Sequence, residues 1–262
     1  MTANISTILI LGATSGIGEA FTHYFHSVGK KVIASGRRID RLNALQAKLK
    51  GLEIVQMDIS DISSIESNLN NIFRSFPDLD SIFVCAGKME LGDFTSTSAV
   101  NTDLIVSEIT TNLTAPLVIA KVAIPHLLAL KRPTTFITVT SGLAFIPLPQ
   151  FPVYNATKAG LHNFNVTLRT QLAGTNVTLI ELAPPYVETE LDSHFREDNI
   201  KAALEKKETV HPPMPLKEYM DVTIAAFEKG GDKEIGTGFS AMGIGAWRGA
   251  FQPILTQFGI AG

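Results

Sequence analysis

Three side chains in the second half of the sequence have the types and spacing needed for acid–base chemistry at a carbonyl. Tyr154 and Lys158 are four residues apart, which on a helix puts both on one face. An unperturbed tyrosine has a pKa of about 10, and a nearby ammonium that favours the phenolate would bring it closer to working pH. Ser141 precedes Tyr154 by 13 residues and could hydrogen-bond a carbonyl oxygen that gains charge. Singly, these residues are typical of a packed aromatic, a solvated cation and a serine bonded to nearby backbone.

A glycine cluster near the amino terminus is suited to a phosphate group. The apolar run Ile5–Leu11 leads into a loop, and a helical pattern starts at Glu19. Glycines let the backbone approach a pyrophosphate, whose charge is met by amides at a helix N-terminus. An ordinary strand-to-helix turn can have the same composition, so the context carries the prediction. The candidate cofactor-binding residues here are Gly12, Thr14, Ser15, Gly16, Ile17 and Gly18.

The end of the second predicted strand indicates which dinucleotide would bind. Lys31–Ser35 is followed directly by Gly36, Arg37 and Arg38. A carboxylate at this place would bind the ribose 2′-hydroxyl of NAD and repel the 2′-phosphate of NADP. Arg37 instead supplies a planar cation suited to a phosphate, with Arg38 as a second candidate. Both could also be solvated residues at the start of a helix. The pattern favours NADP(H).

The elements that must position these residues alternate along the chain. Short β-branched runs recur between longer amphipathic stretches, which is typical of parallel strands joined by crossover helices. We therefore expect an α/β fold: a single-domain, Rossmann-like, doubly wound parallel sheet flanked by helices, with residues 1–262 forming one dinucleotide-binding catalytic domain. The predicted strands are Ile5–Leu11, Lys31–Ser35, Glu53–Gln56, Ser81–Cys85, Thr135–Thr140 and Val177–Leu182.

Composition excludes several classes of protein. With 262 residues, 45% hydrophobic and 18% charged, the chain can bury a sizeable core and is neither disordered nor a charged coiled coil. Lys and Arg total 22 against 25 Asp and Glu, so the net charge of −3 gives no general attraction for nucleic acid. The first apolar run is too short to span a bilayer and has no upstream Lys or Arg, so we expect neither a signal peptide nor a membrane partner.

The single cysteine, Cys85, cannot form an intrachain disulfide, and no Cys/His grouping has zinc spacing. We therefore expect no metal, a reducing compartment and a cytoplasmic location. At the end of a buried strand, Cys85 is more typical of a small hydrophobe than of a reactive thiol.

Taken together, these motifs resemble those of the short-chain dehydrogenase/reductase family over roughly residues 5–190. The order and context of the motifs carry the resemblance, because each one alone is weak. Asn112 matches the asparagine that supports a water-mediated proton relay, and Asp58, in Met57-Asp58-Ile59, looks like the acidic residue that contacts adenine. The other matching residues are Gly12, Gly16, Gly18, Ser141, Tyr154 and Lys158.

This resemblance implies a separate catalytic role for each of three residues. Tyr154 would protonate the alkoxide as the nicotinamide hydride reaches the carbonyl carbon, while Lys158 would hold the ribose and tune Tyr154. Asn112 would help to reload the proton, although it could also be a helix residue bonded to its own backbone. The family also implies a homodimer or homotetramer.

Two departures from the family pattern fall at the cofactor site. Val84-Cys85-Ala86-Gly87 stands where many members have Asn-Asn-Ala-Gly, so the bracing of this strand end must come from elsewhere. Pro184-Pro185 stands where Pro-Gly is usual, and Pro185 removes an amide donor and fixes φ. Further candidate cofactor neighbours are Ile59, Ala86, Gly87, Pro184, Val187 and Thr189.

The last third of the chain is the expected source of substrate selection, and residues 186–215 are the expected substrate-loop region. Phe145–Pro149 lies between Ser141 and Tyr154, and with Tyr186 and Phe195 it favours a substrate with apolar surface, although these residues could simply pack together. The tail contains Trp247, Phe251 and Phe258, which predicts core packing or a subunit contact.

The function expected from these observations is an NADP(H)-dependent oxidoreductase that transfers hydride between nicotinamide and a small-molecule carbonyl or alcohol. Two alternatives remain open at this point. One is a non-catalytic NADP(H)-binding sensor or scaffold, and the other is an epimerase or lyase on the same fold. The combination of Ser141, Tyr154 and Lys158 argues against the sensor.

Overall fold

A computed structural model describes residues 4–96, 100–205 and 211–260. Seven parallel strands form one sheet in the order β3-β2-β1-β4-β5-β6-β7. The strands are β1 Thr7–Leu11, β2 Lys31–Gly36, β3 Glu53–Gln56, β4 Ser81–Val84, β5 Thr134–Val139, β6 Val177–Ala183 and β7 Glu234–Gly236. The strand order reverses between β1 and β4, which is where open α/β sheets bind ligands.

Helices cover both faces of the sheet, so the predicted doubly wound α/β architecture is confirmed. A π-helical turn, Thr110–Thr114, joins α4 to α5. The helices are α1 Gly16–Ser27, α2 Ile39–Lys48, α3 Ile62–Ser75, α4 Thr102–Ile109, α5 Ala115–Ala129, α6 Pro152–Gln171, α7 Arg196–Glu205, α8 Leu216–Lys229 and α9 Phe239–Gln257.

The core consists of two layers, one on each face of the sheet. On one face, Phe21 and Phe25 of α1 pack with Leu42 of α2 and Phe227 of α8. On the other face, apolar side chains of α3, α5 and α6 pack against β1, β4 and β5. The central strands β1, β4 and β5 are buried along their whole length, which agrees with their content of apolar and β-branched residues.

The stretch Thr102–Ala129 is, among the described residues, the helical segment long and apolar enough to cross a membrane by length and composition. Its α5 portion packs Ile119, Ala123 and Leu127 against the sheet core. Burial in this layer accounts for its apolar composition.

The glycine-rich tail forms a helix, α9, that the sequence pattern did not predict. Gly243 lets this helix approach closely, because a Cβ there would stand 2.9 Å from the Cβ of Phe145. Trp247 packs its ring edge-on against His162, with 4.5 Å between centroids. Phe251 and Phe258 remain exposed, so only part of the aromatic tail joins the core.

A buried charge network anchors α6 to the last two strands. Glu181 of β6 receives hydrogen bonds from His162 and Arg169 of α6, and Arg169 also donates to Glu234 of β7 at 2.7 Å. Burial alone would raise the pKa of Glu181, but the bond and charge of His162, then Arg169, hold it below its usual value. His162, Glu181 and Glu234 have ligand atoms within 4.8 Å of one another, yet Arg169 and Arg248 already supply the positive charge that a metal ion would bring.

Candidate active site

One large cavity opens at the carboxyl ends of the strands, at the reversal between β1 and β4. Its volume of about 1690 Å³ exceeds what a small substrate alone requires. It runs from the glycine loop and Arg38 at one end, past Tyr154, to the segment that follows β6. The predicted catalytic and cofactor-binding residues therefore lie around one continuous space, except for Asn112, which lies just behind its wall.

Ser141 and Tyr154 are held at the cavity by two short turns. Ser141 caps the 3-10 turn Gly142–Ala144, and its Oγ accepts a hydrogen bond from the backbone of Leu143 at 3.1 Å. Tyr154 lies in the first turn of α6, which begins at Pro152, where the fixed φ of proline favours helix initiation. The Ser141 hydroxyl also hydrogen-bonds Tyr154, so the two hydroxyl groups face each other.

Burial keeps Tyr154 protonated. Only 6% of the residue is exposed, and this burial raises the pKa of its phenol, while the bond from Ser141 opposes the rise. The sequence analysis expected Lys158 to lower this pKa; in the protein alone the pKa is instead raised, and burial is the largest cause. A phenol that stays protonated at neutral pH is suited to donate a proton.

Lys158 lies one helical turn after Tyr154, as the spacing predicts. Its Nζ is 5.4 Å from the centre of the Tyr154 ring and donates a hydrogen bond to the backbone oxygen of Val139 at 2.9 Å. Burial lowers the pKa of Lys158 to about 8, while the charges of Cys85, Glu108 and Glu181 act in the opposite direction. The amine therefore carries a positive charge at neutral pH but loses it under mildly alkaline conditions.

Asn112 lies in the π-helical turn between α4 and α5. Its Oδ1 accepts from the backbone N–H of Lys88 at 2.8 Å, and its Nδ2 donates to the backbone oxygen of Lys88 at 2.8 Å. The Nδ2 group also reaches Thr157 Oγ1 at 3.3 Å. The side chain thus bonds to the segment after β4 and to α6, not to its own helix backbone.

The bracing that the Val84-Cys85 sequence lacks in side chains is supplied by the backbone. Cys85 and Ala86 both donate their N–H groups to the carbonyl of Leu11 at 2.9 Å, and Asn112 fixes the next residues through Lys88. Burial raises the pKa of the Cys85 thiol to about 12. This value agrees with the prediction that Cys85 is an unreactive packing residue.

The glycine loop makes the closest backbone approach in the site. Gly12 has φ +99°, and a Cβ there would stand 2.5 Å from the backbone nitrogen of Ala86. A Cβ on Gly18 would stand 2.1 Å from the carbonyl oxygen of Gly12. Only glycine fits at either position, and the loop brings the N-terminus of α1 to the cavity. Free amides at such a helix end suit a pyrophosphate, so the residues present fit a dinucleotide.

The two predicted arginines differ in position. Arg38 points back to the loop and donates to Thr14 Oγ1 and Ser15 Oγ, both at 2.8 Å. Arg37 is exposed at the cavity rim, and among the described residues its side chain has no hydrogen-bond partner. Both arginines line the cavity: Arg38 contacts the loop, whereas the guanidinium group of Arg37, the first candidate from the sequence, lies at the rim.

Arg41 and Glu190 lie beside Arg38 at this end of the cavity, and the sequence analysis did not identify either of them. Arg41 donates to the carbonyl of Thr14 at 3.2 Å and to Glu190 Oε2 at 2.6 Å. Arg38 donates to the same oxygen of Glu190 at 3.1 Å. The spacing of three residues between Arg38 and Arg41 could have indicated a shared helix face, whereas the approach of Glu190 depends on the tertiary fold.

The remaining predicted cofactor neighbours all line the cavity. Asp58 is exposed there, and its Oδ1 accepts from the backbone and hydroxyl of Ser60 at 2.9 and 2.7 Å. The others on the cavity wall are Gly16, Ile17, Ile59, Ala86, Gly87, Pro184, Val187 and Thr189.

The Pro184-Pro185 segment supports the turn that Ser141 caps. The carbonyl of Pro184 accepts from the N–H of Gly142 at 2.9 Å, directly after Ser141. Beyond it, Val187 pairs with Met214 as an isolated β-bridge, which fixes the two ends of the predicted substrate-loop region 186–215. His194 of this region reaches Glu90 at 3.0 Å across the cavity mouth. Residues 206–210 of the region lie outside the described residues.

An apolar cluster surrounds the hydroxyl groups. Leu143, Phe151 and Tyr154 form its buried centre, and Met89, Phe195 and Phe239 pack against them. Of the segment expected to form a wall, Ile146, Leu148 and Pro149 line the cavity, whereas Phe145 turns away to stack edge-on with His162. The reacting groups therefore face a largely apolar space.

Comparison with known proteins agrees with this geometry. A family model described as short chain dehydrogenase matches residues 6–200. The uncharacterized oxidoreductase DltE of Bacillus subtilis (strain 168) is 38% identical over 195 residues, which are 73% of this chain and 75% of that protein. The NADP-dependent 3-hydroxy acid dehydrogenase YdfG of Escherichia coli O6:H1 is 32% identical over 206 residues. These residues are 78% of this chain and 82% of YdfG.

Among solved structures, the closed form of serine dehydrogenase complexed with NADP+ superimposes with a TM-score of 0.74 at 26% identity. The match covers 88% of this chain and 94% of that one. These relatives are oxidoreductases, and they support neither the sensor or scaffold alternative nor the epimerase or lyase alternative. The motif order, the parallel sheet and the matched residues agree: this chain belongs to the short-chain dehydrogenase/reductase family and is an NAD(P)-dependent oxidoreductase.

Proposed function

We propose that the protein is an NADP(H)-dependent carbonyl reductase, which can also run in reverse as an alcohol dehydrogenase. The observation that carries the proposal is the position of the buried, protonated Tyr154 next to Ser141 and Lys158. These residues lie beside a cavity that continues to Arg38 and the glycine loop. The bound nicotinamide would supply the hydride in reduction and accept it in oxidation. The protein residues then have to orient the carbonyl and manage one proton.

Each of the four predicted catalytic residues has a role that its contacts support. Ser141 donates to the substrate oxygen and holds it near Tyr154, which delivers the proton from its hydroxyl group. Lys158 would hold the ribose hydroxyls of a bound cofactor, and its charge near the Tyr154 ring would stabilise the phenolate left after proton transfer. Asn112 keeps the segment after β4 in place through Lys88 and supports the proton relay.

The preference for NADP(H) rests on Arg38 and Arg41. Their guanidinium groups donate to the carboxylate of Glu190 in the protein alone, and a bound 2′-phosphate would replace that carboxylate as their acceptor. Arg37 at the rim adds a third positive charge. The NADP-dependence of YdfG and the NADP+ bound in the serine dehydrogenase complex support the same choice.

The substrate class follows from the cavity wall. Phe151, Phe195 and Phe239 favour a carbonyl compound with a substantial apolar group next to the reacting carbon. Residues from 186–200 and 211–215 line the other side of the cavity, and we assign substrate selection to the loop region 186–215. We treat residues 1–262 as one catalytic domain built on the single sheet.

Assembly and location belong to the same proposal. Exposed apolar side chains on α4, on α9 and directly after α9 support a homodimer or homotetramer; among them are Val106, Met242 and Phe258. The unpaired Cys85 supports a reducing, cytoplasmic location.

A panel of aldehydes and ketones graded by apolar size tests the proposed function. We expect oxidation of NADPH, followed by its absorbance, with the highest kcat/KM for members carrying aromatic or long aliphatic groups, because burial contributes about 0.8 kcal/mol per methylene group. NADH assayed in parallel should be the poorer donor. No turnover of any carbonyl with either cofactor would contradict the proposal.

Replacing Tyr154 tests the proton donor. Tyr154→Phe keeps the ring in the apolar cluster but removes the hydroxyl, so NADPH binding should be retained while kcat falls by about 100-fold or more. NADPH fluorescence titration and steady-state kinetics measure the two quantities. Turnover equal to that of the unchanged protein would rule out the assigned role.

A matched pair of arginine variants tests cofactor selection. Arg38→Glu should weaken NADPH binding by about 10- to 100-fold, since a hydrogen bond to a charged group contributes about 1.5–3 kcal/mol. The binding of NADH, which lacks the phosphate, should change far less. Arg37→Glu should have the same sign with a smaller effect, because its side chain lies at the rim. Equal losses for NADPH and NADH in Arg38→Glu would contradict the phosphate role.

A further inference from the structure

Glu108 is a buried carboxyl group that the proposed reaction has not used. It lies in α4, is 1% exposed, and accepts one hydrogen bond, from the backbone N–H of Glu90 to its Oε1 at 3.3 Å. Among the described residues, no cation is within ion-pair distance of it. Glutamate is almost never fully buried without a partner, because an unpaired carboxylate is costly to remove from water. Because burying this carboxylate costs free energy, we expect a functional role for Glu108.

On its outer side, Glu108 faces a second cavity of about 230 Å³. This cavity lies between α4, the first turn of α6 and the segment 90–92, and its wall includes Glu108, Ile105 and Val153. It has room for several water molecules, since each occupies about 30 Å³ in the liquid. Segment 90–92 and Pro152 line both cavities, so only a thin wall separates this space from the active site.

On its inner side, Glu108 lies one helical turn before Asn112 and the π-helical turn. Asn112 Oδ1 and Lys158 Nζ flank the same backbone position, because a Cβ on Gly87 would stand 3.4 Å from the first and 3.8 Å from the second. Thr111, in the same turn, lines the active-site cavity, and its buried Oγ1 has no partner among the described residues. Polar groups therefore extend from Lys158 to the turn beside Glu108.

The charged groups that face Glu108 come from two other elements. Lys88 and Glu90 lie in the segment after β4, and Lys158 lies on α6. Burial raises the pKa of Glu108 to about 7, and the hydrogen bond from the Glu90 backbone opposes the rise. The charge of Glu90 adds to the rise, and the charges of Lys88 and Lys158 oppose it. The carboxyl group therefore exists in both protonation states near neutral pH, which a proton-exchanging group requires.

We propose that Glu108 is the solvent end of the proton relay: it exchanges a proton with Lys158 through water on one side and with water in the second cavity on the other. This inference rests on the proposed function and adds a residue to it. Glu108 acts through Lys158 and does not touch the substrate.

One proton moves from solvent to the substrate oxygen in each reduction. In reduction, the carbonyl carbon gains the hydride of NADPH and its oxygen gains the phenolic proton of Tyr154. The phenolate takes a proton from the Lys158 ammonium, Lys158 takes one from the Glu108 carboxyl group, and Glu108 takes one from water. One NADPH and one solvent proton are consumed for each alcohol formed, and oxidation runs through the same groups in reverse.

Glu108→Gln tests the relay, because the amide oxygen can keep the hydrogen bond from Glu90 while the group can no longer exchange a proton. In the unchanged protein, kcat for reduction should fall as pH rises through about 7. In Glu108→Gln, kcat at neutral pH should be lower by about 10-fold and this pH dependence should be absent, with NADPH affinity unchanged. Glu108→Asp should restore part of the pH dependence.

Asp103→Asn is the matched control. It makes the same acid-to-amide change in the exposed first turn of α4, so it should keep the kcat and the pH profile of the unchanged protein. Loss of activity there would mean that any charge change in this helix impairs the enzyme.

Thermal unfolding provides a readout that does not depend on activity. Folding raises the pKa of Glu108 above its value of about 4.3 in an unfolded chain, so its contribution to stability is lost as pH rises through about 7. Relative to the unchanged protein, Glu108→Gln should therefore gain in Tm as pH rises from about 4.3 to about 7.

The outcomes are distinct. A Glu108→Gln protein with unchanged kcat and an unchanged pH profile overturns the relay, as does one that is only less stable at every pH. If the unchanged protein reduces no carbonyl, the proposed function fails and the relay fails with it, whereas a relay that fails alone leaves that turnover intact.

Discussion

The site depends on one close backbone approach at the point where the strand order reverses. The end of β1, the start of α1 and the end of β4 meet where Gly12 lies against Ala86, with 2.5 Å between a hypothetical Cβ of Gly12 and the nitrogen of Ala86. Any side chain there would separate the strand end from the loop. The contact places the N-terminus of α1 beside the segment that Asn112 holds, and thus beside Lys158. Cofactor site and proton-transfer residues share this junction.

The chemistry is built on buried groups whose preferred protonation states differ from those in water. Burial keeps the Tyr154 phenol protonated and brings the pKa values of Lys158 and Glu108 towards neutrality, to about 8 and about 7. Groups with these values can pass a proton at small driving force. The buried network of His162, Arg169 and Glu181 holds α6, and with it Tyr154 and Lys158, against β6. Packing and reactivity are therefore consequences of the same helix position.

Local sequence patterns predicted the parts of the structure that depend on short-range rules. Of this kind are the glycine loop, the four-residue spacing of Tyr154 and Lys158, and the six strands predicted from short β-branched runs. Strand β7 was missed because Glu234–Gly236 is too short for a pattern, and α9 because its glycines have low helix propensity. Glycines are tolerated there because the helix packs closely on Phe145.

Other features depend on tertiary contacts that no local pattern encodes. Glu190 meets Arg38 and Arg41 only because the chain after β6 returns to the glycine loop. The orientation that places Arg38 rather than Arg37 on the loop, and the burial that raises the pKa values of Tyr154 and Glu108, likewise follow from packing. The family resemblance supplied the role of Asn112, whereas the structure supplied its partners.

The central claim is that hydride passes directly between the nicotinamide and a carbonyl carbon in this cavity. The most direct measurement uses NADPH carrying deuterium at its transferable position, a carbonyl substrate from the panel, and mass spectrometry of the product. We predict one deuterium on the carbinol carbon of each alcohol molecule, with one NADPH consumed for each. Product formed without deuterium, or without net consumption of NADPH, would contradict the account.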